Sequence, residues 1–210
     1  PYAVAVFHIV LHANQIISVS ITRDRANQMG QLAQATGNAV NDTATNGANV
    51  SLQCGSGSVT FIEASTDYAV SGDSYRDGTS AYAKAAAINA TNVGDIQASA
   101  STSLTGAAAQ GAVTSGADAS TYSLSVNGVA IYSSEVLDNG ETIAAADLVN
   151  QINLHSNDTG VTASLESGGE LTLSASDGRD IVFTEATTGT ISSGTIGSDD
   201  NFTSGSDIRG

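Results

Sequence analysis

The clearest hydrophobic pattern of this chain lies in residues 122–183. Apolar residues alternate with serines over 122–126, and the alternation resumes over 129–131. Between these runs stands Asn127-Gly128, a pair that readily supplies the two positive-φ positions of a type I′ turn. The pattern therefore predicts a β-hairpin.

After the hairpin the period becomes helical. Residues 143–153 carry one apolar stripe, and Thr142 precedes them as a candidate cap. The stripe consists of Ala145, Leu148, Val149 and Ile152. Three more alternating runs follow, divided by Gly168-Gly169 and Asp177-Gly178: 161–165, 171–175 and 181–183. The predicted order is β-β-α-β-β-β, with one helix covering one face of a sheet.

A looser version of this layout precedes it. Residues 81–89 predict a helix capped by Thr79 or Ser80, and residues 93–98 predict a strand. The expected buried side of that helix is Tyr82, Ala85, Ala86 and Ile88. In both stretches a helix ends in Ile-Asn, a polar link with glycine follows, and a strand begins. We therefore predict two related β-α-β units, with chance likeness between alanine-rich helices as the alternative.

The remaining stretches are less patterned. Residues 26–40 predict a helix, 59–61 and 68–70 predict short strands, and 100–119 and 187–210 read as small-residue loops or linkers. The predicted fold class is α+β and β-rich, with small, mainly antiparallel sheets that are each covered by a short helix. The predicted division is an N-terminal segment at 1–50, a first unit with linker at 51–115, a second unit at 116–190, and a loop or linker at 191–210.

Composition changes this picture in two ways. Hydrophobic residues make up 40% of the 210 positions but aromatics only 5%, so the core must be built from small side chains. Six basic against 21 acidic residues give a net charge of −15, which disfavours nucleic acid and anionic membrane surfaces as partners. No run reaches the length of a membrane span, and the apolar start lacks the basic region of a signal peptide. The lone Cys54 is expected to be a small buried residue.

The order of the signposts in 122–183 resembles a known family. The sequence is similar to bacterial flagellin, specifically to its variable outer region with the flagellin IN motif, which also occurs in hook-associated and filament cap proteins. The matching elements are Val126-Asn127-Gly128, Ile152-Asn153, Val161-Thr162-Ala163, Leu171-Thr172-Leu173 and Asp177-Gly178. The resemblance covers residues 57–190, and the helical run at 80–90 resembles the helix that often precedes the motif. The long terminal helices of flagellins are not recognisable in either end of this chain.

The resemblance implies a structural protein rather than an enzyme, with no cofactor. It implies other flagellin subunits as partners in a homopolymer, joined through terminal regions not seen here, and an extracellular place on the flagellum after export without a cleavable signal peptide. Sugars attached through Ser or Thr would fit the family. The alternative function is a cap, hook-associated or adhesin-like binding module, which an aromatic patch of Tyr82, Tyr122 and Tyr132 would favour.

Candidate chemistry is sparse. His8 and His12 have the spacing of metal ligands on one helix face, although their neighbours are apolar. Acidic residues offer a calcium hypothesis with turn chemistry as its alternative; they are Asp177, Asp180 and Glu185, or Asp199 and Asp200. No nucleophile elbow or P-loop is found. We therefore predict no catalytic, cofactor or metal residues, and assign the motif residues to turns, caps and core.

Overall fold

Antiparallel strands dominate the computed structural model, which describes residues 43–48, 50–53, 58–93, 96–197 and the backbone of 207–208. The strands are β1 (Ser51–Leu52), β2 (Thr60–Phe61), β3 (Thr102–Ala109), β4 (Val113–Ser115), β5 (Ser120–Val126), β6 (Val129–Leu137), β7 (Thr142–Ile143), β8 (Thr162–Leu165), β9 (Glu170–Ala175), β10 (Ile181–Thr188), β11 (Ile191–Ser193) and β12 (Asp207–Ile208). The α-helices are α1 (Ala81–Thr91), α2 (Ala145–Leu154) and α3 (Ser156–Thr159), and 3₁₀ turns lie at Ser65–Tyr68 and Ser74–Arg76.

The predicted hairpin is formed by β5 and β6. Val126 pairs with Val129, and the two residues between them have positive φ angles, 45° at Asn127 and 74° at Gly128. These angles suit asparagine and glycine better than other residues. Along β5 every second residue is buried, so the alternation read from the sequence marks the face that enters the core.

The strands of the described residues are distributed over four small sheets, all with antiparallel pairing between neighbours. Their orders are β12-β10-β5-β6, β3-β9-β8, β11-β4-β7 and β1-β2. The prediction of an α+β, β-rich fold with small antiparallel sheets is confirmed. The expectation that one sheet would hold all strands of 122–183 is wrong, because β10 pairs with β5 whereas β8 and β9 join β3.

One hydrophobic cluster joins the three larger sheets to α2. Its members are Val113, Tyr122, Leu124, Val126, Ile131, Leu137, Ile143, Leu148, Ile152, Val161, Ala163, Leu171, Leu173, Ala175, Ile181, Phe183 and Ile196. The predicted stripe of α2 faces this core, with Leu148 and Ile152 fully buried and Ala145 and Val149 half-buried. The expected cap is wrong: Thr142 lies in β7 paired with Thr114, and Ala144 precedes the helix without a side-chain cap.

Helix α1 follows its predicted start but not its predicted face. The Ser80 hydroxyl accepts a hydrogen bond from the Ala83 N–H at 3.3 Å, as expected of a cap. The buried residues are Ala81, Ala83, Lys84 and Ala87 instead of the expected set. The helix packs against the 3₁₀ turn at 65–68, where small side chains allow a close approach.

Several predicted irregular stretches are ordered strands. Residues 100–119 contain β3 and β4, and residues 187–210 contain the end of β10, β11 and β12. These strands carry small hydroxyl residues that bond across the ladder, as between Ser103 and Ser174 at 3.1 Å and Thr105 and Thr172 at 2.7 Å. Such strands lack the apolar contrast that reveals a strand in a sequence.

Two segments that were predicted to be strands, 68–70 and 93–98, are not strands in the structure. Residues 65–68 form a 3₁₀ turn, residues 69–70 form no strand, and the described part of 93–98 pairs with no other strand.

Some predictions fall outside the described residues. They concern the helix at 26–40 and the residues His8, His12, Cys54, Asp199 and Asp200. The division of the chain at 50, 115 and 190 stays a prediction. None of the described helices has the length and apolar character needed to cross a bilayer.

A pair of leucines on α2 tests the packing of this core. Leu148 is fully buried and Leu154 is 75% exposed. Leu148→Ala should lower the free energy of unfolding by about 2–5 kcal/mol, because it removes buried methyl groups and leaves a cavity. Leu154→Ala, with the same change in helix propensity, should alter it by no more than about 0.5 kcal/mol. Urea unfolding followed by circular dichroism measures both, and equal losses would contradict the placement of α2.

Candidate functional site

The turn of the β5–β6 hairpin is held by the buried side chain of Asn127, which is only 6% exposed. Its Nδ2 donates to the carbonyl oxygens of Thr159 at 3.0 Å and Asp180 at 3.1 Å. Its Oδ1 accepts from the Val182 N–H at 2.8 Å, and its own backbone N–H donates to the Val182 carbonyl at 2.7 Å. One carboxamide thus joins the hairpin turn, the end of α3 and the start of β10.

The two residues of the Ile-Asn pair at the end of α2 have different roles. Ile152 is buried in the core, and the half-buried Asn153 turns toward β8. Asn153 Nδ2 donates to the Ala163 carbonyl and Asn153 Oδ1 accepts from the Ala163 N–H, both at 2.8 Å. The carboxamide therefore engages both backbone groups of Ala163, as a neighbouring strand would.

The Ile-Asn pair at the end of α1 makes the same contact. Asn89 Nδ2 donates to the Ala98 carbonyl at 2.9 Å, and its Oδ1 accepts from the Ala98 N–H at 2.7 Å. The likeness between the two stretches of sequence thus has a counterpart in hydrogen bonding. In each, an asparagine at a helix end holds the segment that follows. The Asn89 contact lies in solvent, whereas the Asn153 contact is part-buried.

The strand residues of the motif supply core and register. Val161, Leu171 and Leu173 are buried, and Leu173 is paired with Leu104 on one side and Ala163 on the other. Thr162 points to solvent, and its hydroxyl donates to the Ser174 carbonyl at 3.3 Å. These positions build the β3-β9-β8 sheet.

Three turns meet beside Asn127. They are residues 127–128, 159–160 and 177–180, which we call the turn cluster. Arg179 donates from Nη1 to the Thr159 carbonyl at 3.1 Å and pairs through Nη2 with Asp177 Oδ2 at 2.8 Å. The guanidinium therefore ties two of these turns together.

The segment around the start of α1 is bonded to the turn cluster. The Tyr82 N–H donates to the Gly178 carbonyl at 2.9 Å, and the Asp180 N–H donates to the Tyr75 carbonyl at 2.7 Å. Gly178 has φ +77°, and a Cβ there would lie 2.5 Å from the Ala100 Cβ. Only glycine fits this close approach. The Asp177-Gly178 turn is thus a docking point for the earlier half of the described chain.

The charge of Asp177 is stabilised in this setting. Partial burial raises the pKa of the Asp177 carboxyl, but hydrogen bonds from the side chain and backbone of Arg179 outweigh it and bring the pKa below its ordinary value. Asp177 therefore pairs with a cation of its own chain, and its Oδ1 also accepts from the Arg179 N–H at 3.2 Å within the turn.

Glu185 has a role that the sequence did not reveal. Its Oε1 accepts from the Tyr122 hydroxyl and from the Ile196 N–H at 2.9 Å, and its Oε2 accepts from the Gly197 N–H at 2.9 Å. Burial, with the nearby Glu185 charge, raises the pKa of Tyr122. The carboxylate thus fixes a turn after β11, where Ile196 enters the core. A lone acid among the Thr and Ala residues of β10 is the only local signal for it.

The calcium hypothesis finds no converging ligands in the described residues. No group of three or more His, Cys, Asp or Glu side chains there is placed to hold a metal ion. Asp177 pairs with Arg179, and Glu185 holds backbone N–H groups. Asp180 is 2% exposed. The carboxylates of Asp177 and Glu185 therefore serve local structure.

Comparison with known families identifies the class of module. Residues 123–177 match the family described as the Flagellin hook IN motif. The motif recognised in the sequence is therefore present, and the chain carries a module typical of flagellin-type structural proteins. No curated protein matches the chain in a sequence search. The matched range ends at Asp177, so it excludes Gly178, Arg179 and Glu185, which complete the contacts described above.

The asparagine contacts can be tested by truncation. Asn153→Ala should lower the free energy of unfolding by about 1–3 kcal/mol, because both backbone groups of Ala163 lose a part-buried partner. Asn89→Ala should cost less, about 0.5–1 kcal/mol, because water can replace the carboxamide. Asn150→Ala is the matched control, since Asn150 is exposed on the same helix. A loss at Asn153 no larger than at Asn150, in urea unfolding, would refute the assigned role.

The ion pair in the turn cluster predicts a pH dependence. Because the pKa of Asp177 is lowered in the folded protein, its charge adds stability above the ordinary pKa of about 3.9, and this is lost as pH falls through the lower folded-state value. Asp177→Asn should therefore cost about 0.5–1 kcal/mol near neutral pH, discounted for solvent screening. The difference from the unaltered chain should vanish in strong acid.

Urea unfolding of both proteins along a pH series measures this difference. Asn at 177 keeps an oxygen that can accept the Arg179 N–H, so the comparison isolates the charge. Asp73, whose pKa is also lowered by Arg76, is present in both proteins and cancels. A difference that persists undiminished at low pH would mean that the substitution acts through packing.

Proposed function

We propose that this chain is a non-enzymatic, solvent-exposed outer part of a bacterial flagellar filament subunit. The observation that carries the proposal is the Flagellin hook IN motif at residues 123–177. The use of its polar residues supports it. Asn127, Asn153 and Asp177 bond to backbone groups or to Arg179. Such residues shape a rigid module and leave its surface free for display.

The surface fits an outer layer of a polymer. Hydroxyl residues line the exposed sides of β3 and β9, and the chain carries a net charge of −15. Strong net charge of one sign keeps neighbouring copies soluble and opposes nonspecific association. In this proposal the module projects from a filament core that terminal segments of the subunits build as a homopolymer. In this proposal the protein is extracellular and takes part in motility.

Other features of the proposal follow from the charge, the sequence pattern and the family resemblance. The module binds neither nucleic acid nor a membrane, it needs no cofactor, and exposed Ser and Thr residues offer sites for attached sugars. The units at 51–115 and 116–190 act together as the outer module, with 1–50 and 191–210 as flanking segments. The motif residues serve turns, caps and core.

The alternative is a filament cap or hook-associated protein, because the matched motif is described as a hook motif. The adhesin-like version of that alternative is weakened by the tyrosines. Tyr122 is fully buried and packs on Tyr132 with ring centres 5.7 Å apart, and Tyr82 lies beneath the Arg76 guanidinium. These side chains do not form the exposed aromatic patch that glycan binding would favour.

Antibody labelling distinguishes these functions. Antibodies raised against the purified chain, applied with gold label to cells of the source bacterium, should decorate flagellar filaments along their whole length. Labelling confined to the filament tip or to the hook junction would favour the alternative, and labelling of the cell body alone would contradict both. Cells in which the gene is deleted provide the control for antibody specificity.

A further inference from the structure

The outer edge of β8 is bonded by side chains at the place where a further strand would pair. Strand β8 pairs with β9 on one side, and no other strand of the described residues lies next to it. A free sheet edge presents N–H and C=O groups that can bind a strand of another molecule. The partners of these groups therefore decide whether the edge is open.

The register of the β8–β9 hairpin shows which residues face outward. The Glu166 N–H donates to the Glu170 carbonyl at 2.8 Å, so these two residues are bonded across the ladder. Bonded and non-bonded pairs alternate along an antiparallel ladder. Counting back from Glu166, residues 164 and 162 bond to β9, whereas residues 165 and 163 turn their backbone groups away from it. Val161 continues the alternation on the outward side.

The outward groups of Ala163 and Val161 are each held by one side chain. Asn153 Nδ2 donates to the Ala163 carbonyl and Asn153 Oδ1 accepts from the Ala163 N–H, both at 2.8 Å. The Thr159 hydroxyl accepts from the Val161 N–H at 3.1 Å and lies 3.3 Å from the Val161 carbonyl oxygen. Two side chains thus bind every second residue of the edge, as the backbone of an added strand would.

The edge is not deeply covered beyond these contacts. Helix α2 ends at Leu154, whose side chain is 75% exposed, and Leu165 at the end of β8 is 36% exposed. Ser164 is exposed, and the bonds from Asn153 are only part-buried. We propose that Asn153 and Thr159 close the outer edge of β8 against strand addition by a second copy of this chain.

The usual protections of an edge strand are missing from β8. Residues 161–165 contain no charged residue and no proline, and the ladder with β9 runs without a bulge. The edge strand β6 differs, because its register with β5 shifts at two places and it carries Glu135. In β8 the side-chain contacts take over this protection.

A second copy is the occupant because one exposed edge is enough for two identical chains. Two copies of the same strand can pair antiparallel about a two-fold axis, each offering the same groups to the other. The net charge of −15 opposes the approach of two copies, but salt screens this repulsion. The inference does not depend on the proposed role in a filament.

Size measurements on an asparagine variant test the proposal. The unaltered chain and Asn153→Ala are compared by analytical ultracentrifugation over a wide range of concentration, at a salt concentration that screens the net charge. The unaltered chain should stay monomeric. The variant should form dimers or larger species as its concentration rises, because both backbone groups of Ala163 are free for another strand.

Amide hydrogen exchange at Ala163 locates the contact between copies. In dilute Asn153→Ala the Ala163 N–H should exchange faster than in the unaltered chain by roughly tenfold or more, because its acceptor is gone. At high concentration it should become protected again, since the partner strand supplies a new acceptor. In the unaltered chain its protection should not change with concentration.

Two control variants separate an open edge from lost stability. Asn89→Ala removes a carboxamide that makes the same contact with Ala98, a residue that lies in no strand. Leu124→Ala removes a buried side chain from β5 in a different sheet and leaves the edge of β8 unchanged. Neither variant should associate.

Three results would overturn the proposal. They are a folded Asn153→Ala that stays monomeric at every concentration, association of Leu124→Ala or the unaltered chain to the same extent, and association that leaves the Ala163 N–H unprotected. Circular dichroism checks that each variant is folded. If Asn153→Ala does not fold, Asn153→Ser takes its place, because its short side chain cannot bridge both groups of Ala163, and the same results decide.

Discussion

The fold depends on asparagine side chains that replace missing backbone partners. A chain with small, separate sheets has many strand ends, and each end exposes N–H and C=O groups that must be satisfied when buried. Asn127 meets this need with three side-chain hydrogen bonds at the point where the hairpin, α3 and β10 converge. Removing its carboxamide would take one donor from each of the Thr159 and Asp180 carbonyls and the acceptor from the Val182 N–H.

The same device sets the path of the chain after each main helix. A carboxamide can donate and accept at once, so it can bind both backbone groups of one residue. Asn153 does so for Ala163 and Asn89 does so for Ala98. Ala163 lies in β8, and Ala98 lies shortly before β3. These two strands flank β9 on its two sides. Each edge strand of the β3-β9-β8 sheet therefore follows a helix whose asparagine holds the chain at that strand or just before it.

The sequence predicted those parts of the fold in which local chemistry and burial agree. The β5–β6 hairpin has both the right turn residues and an alternating apolar face, and α2 has a clean stripe through Leu148 and Ile152. The strand β3 was missed because its partner β9 is distant in sequence and its residues are small. The buried face of α1 was misjudged because alanine carries little contrast, so packing against the turn at 65–68 decides which side is covered.

In the candidate site, too, contacts between residues distant in sequence could not be predicted. The turn residues of the motif could be named from local patterns, whereas the Glu185 contact depends on a turn eleven residues away in the chain. The matched family range stops at Asp177. Beyond it, the Arg179 side chain donates to the Thr159 carbonyl, and the Gly178 carbonyl accepts from the Tyr82 N–H. The Glu185 carboxylate holds the turn through which Ile196 enters the core. The folding unit is therefore larger than the motif by which it is recognised. It includes the segment around α1 on one side and the turn after β11 on the other, because both bond to residues that follow the motif, at Gly178, Asp180 and Glu185.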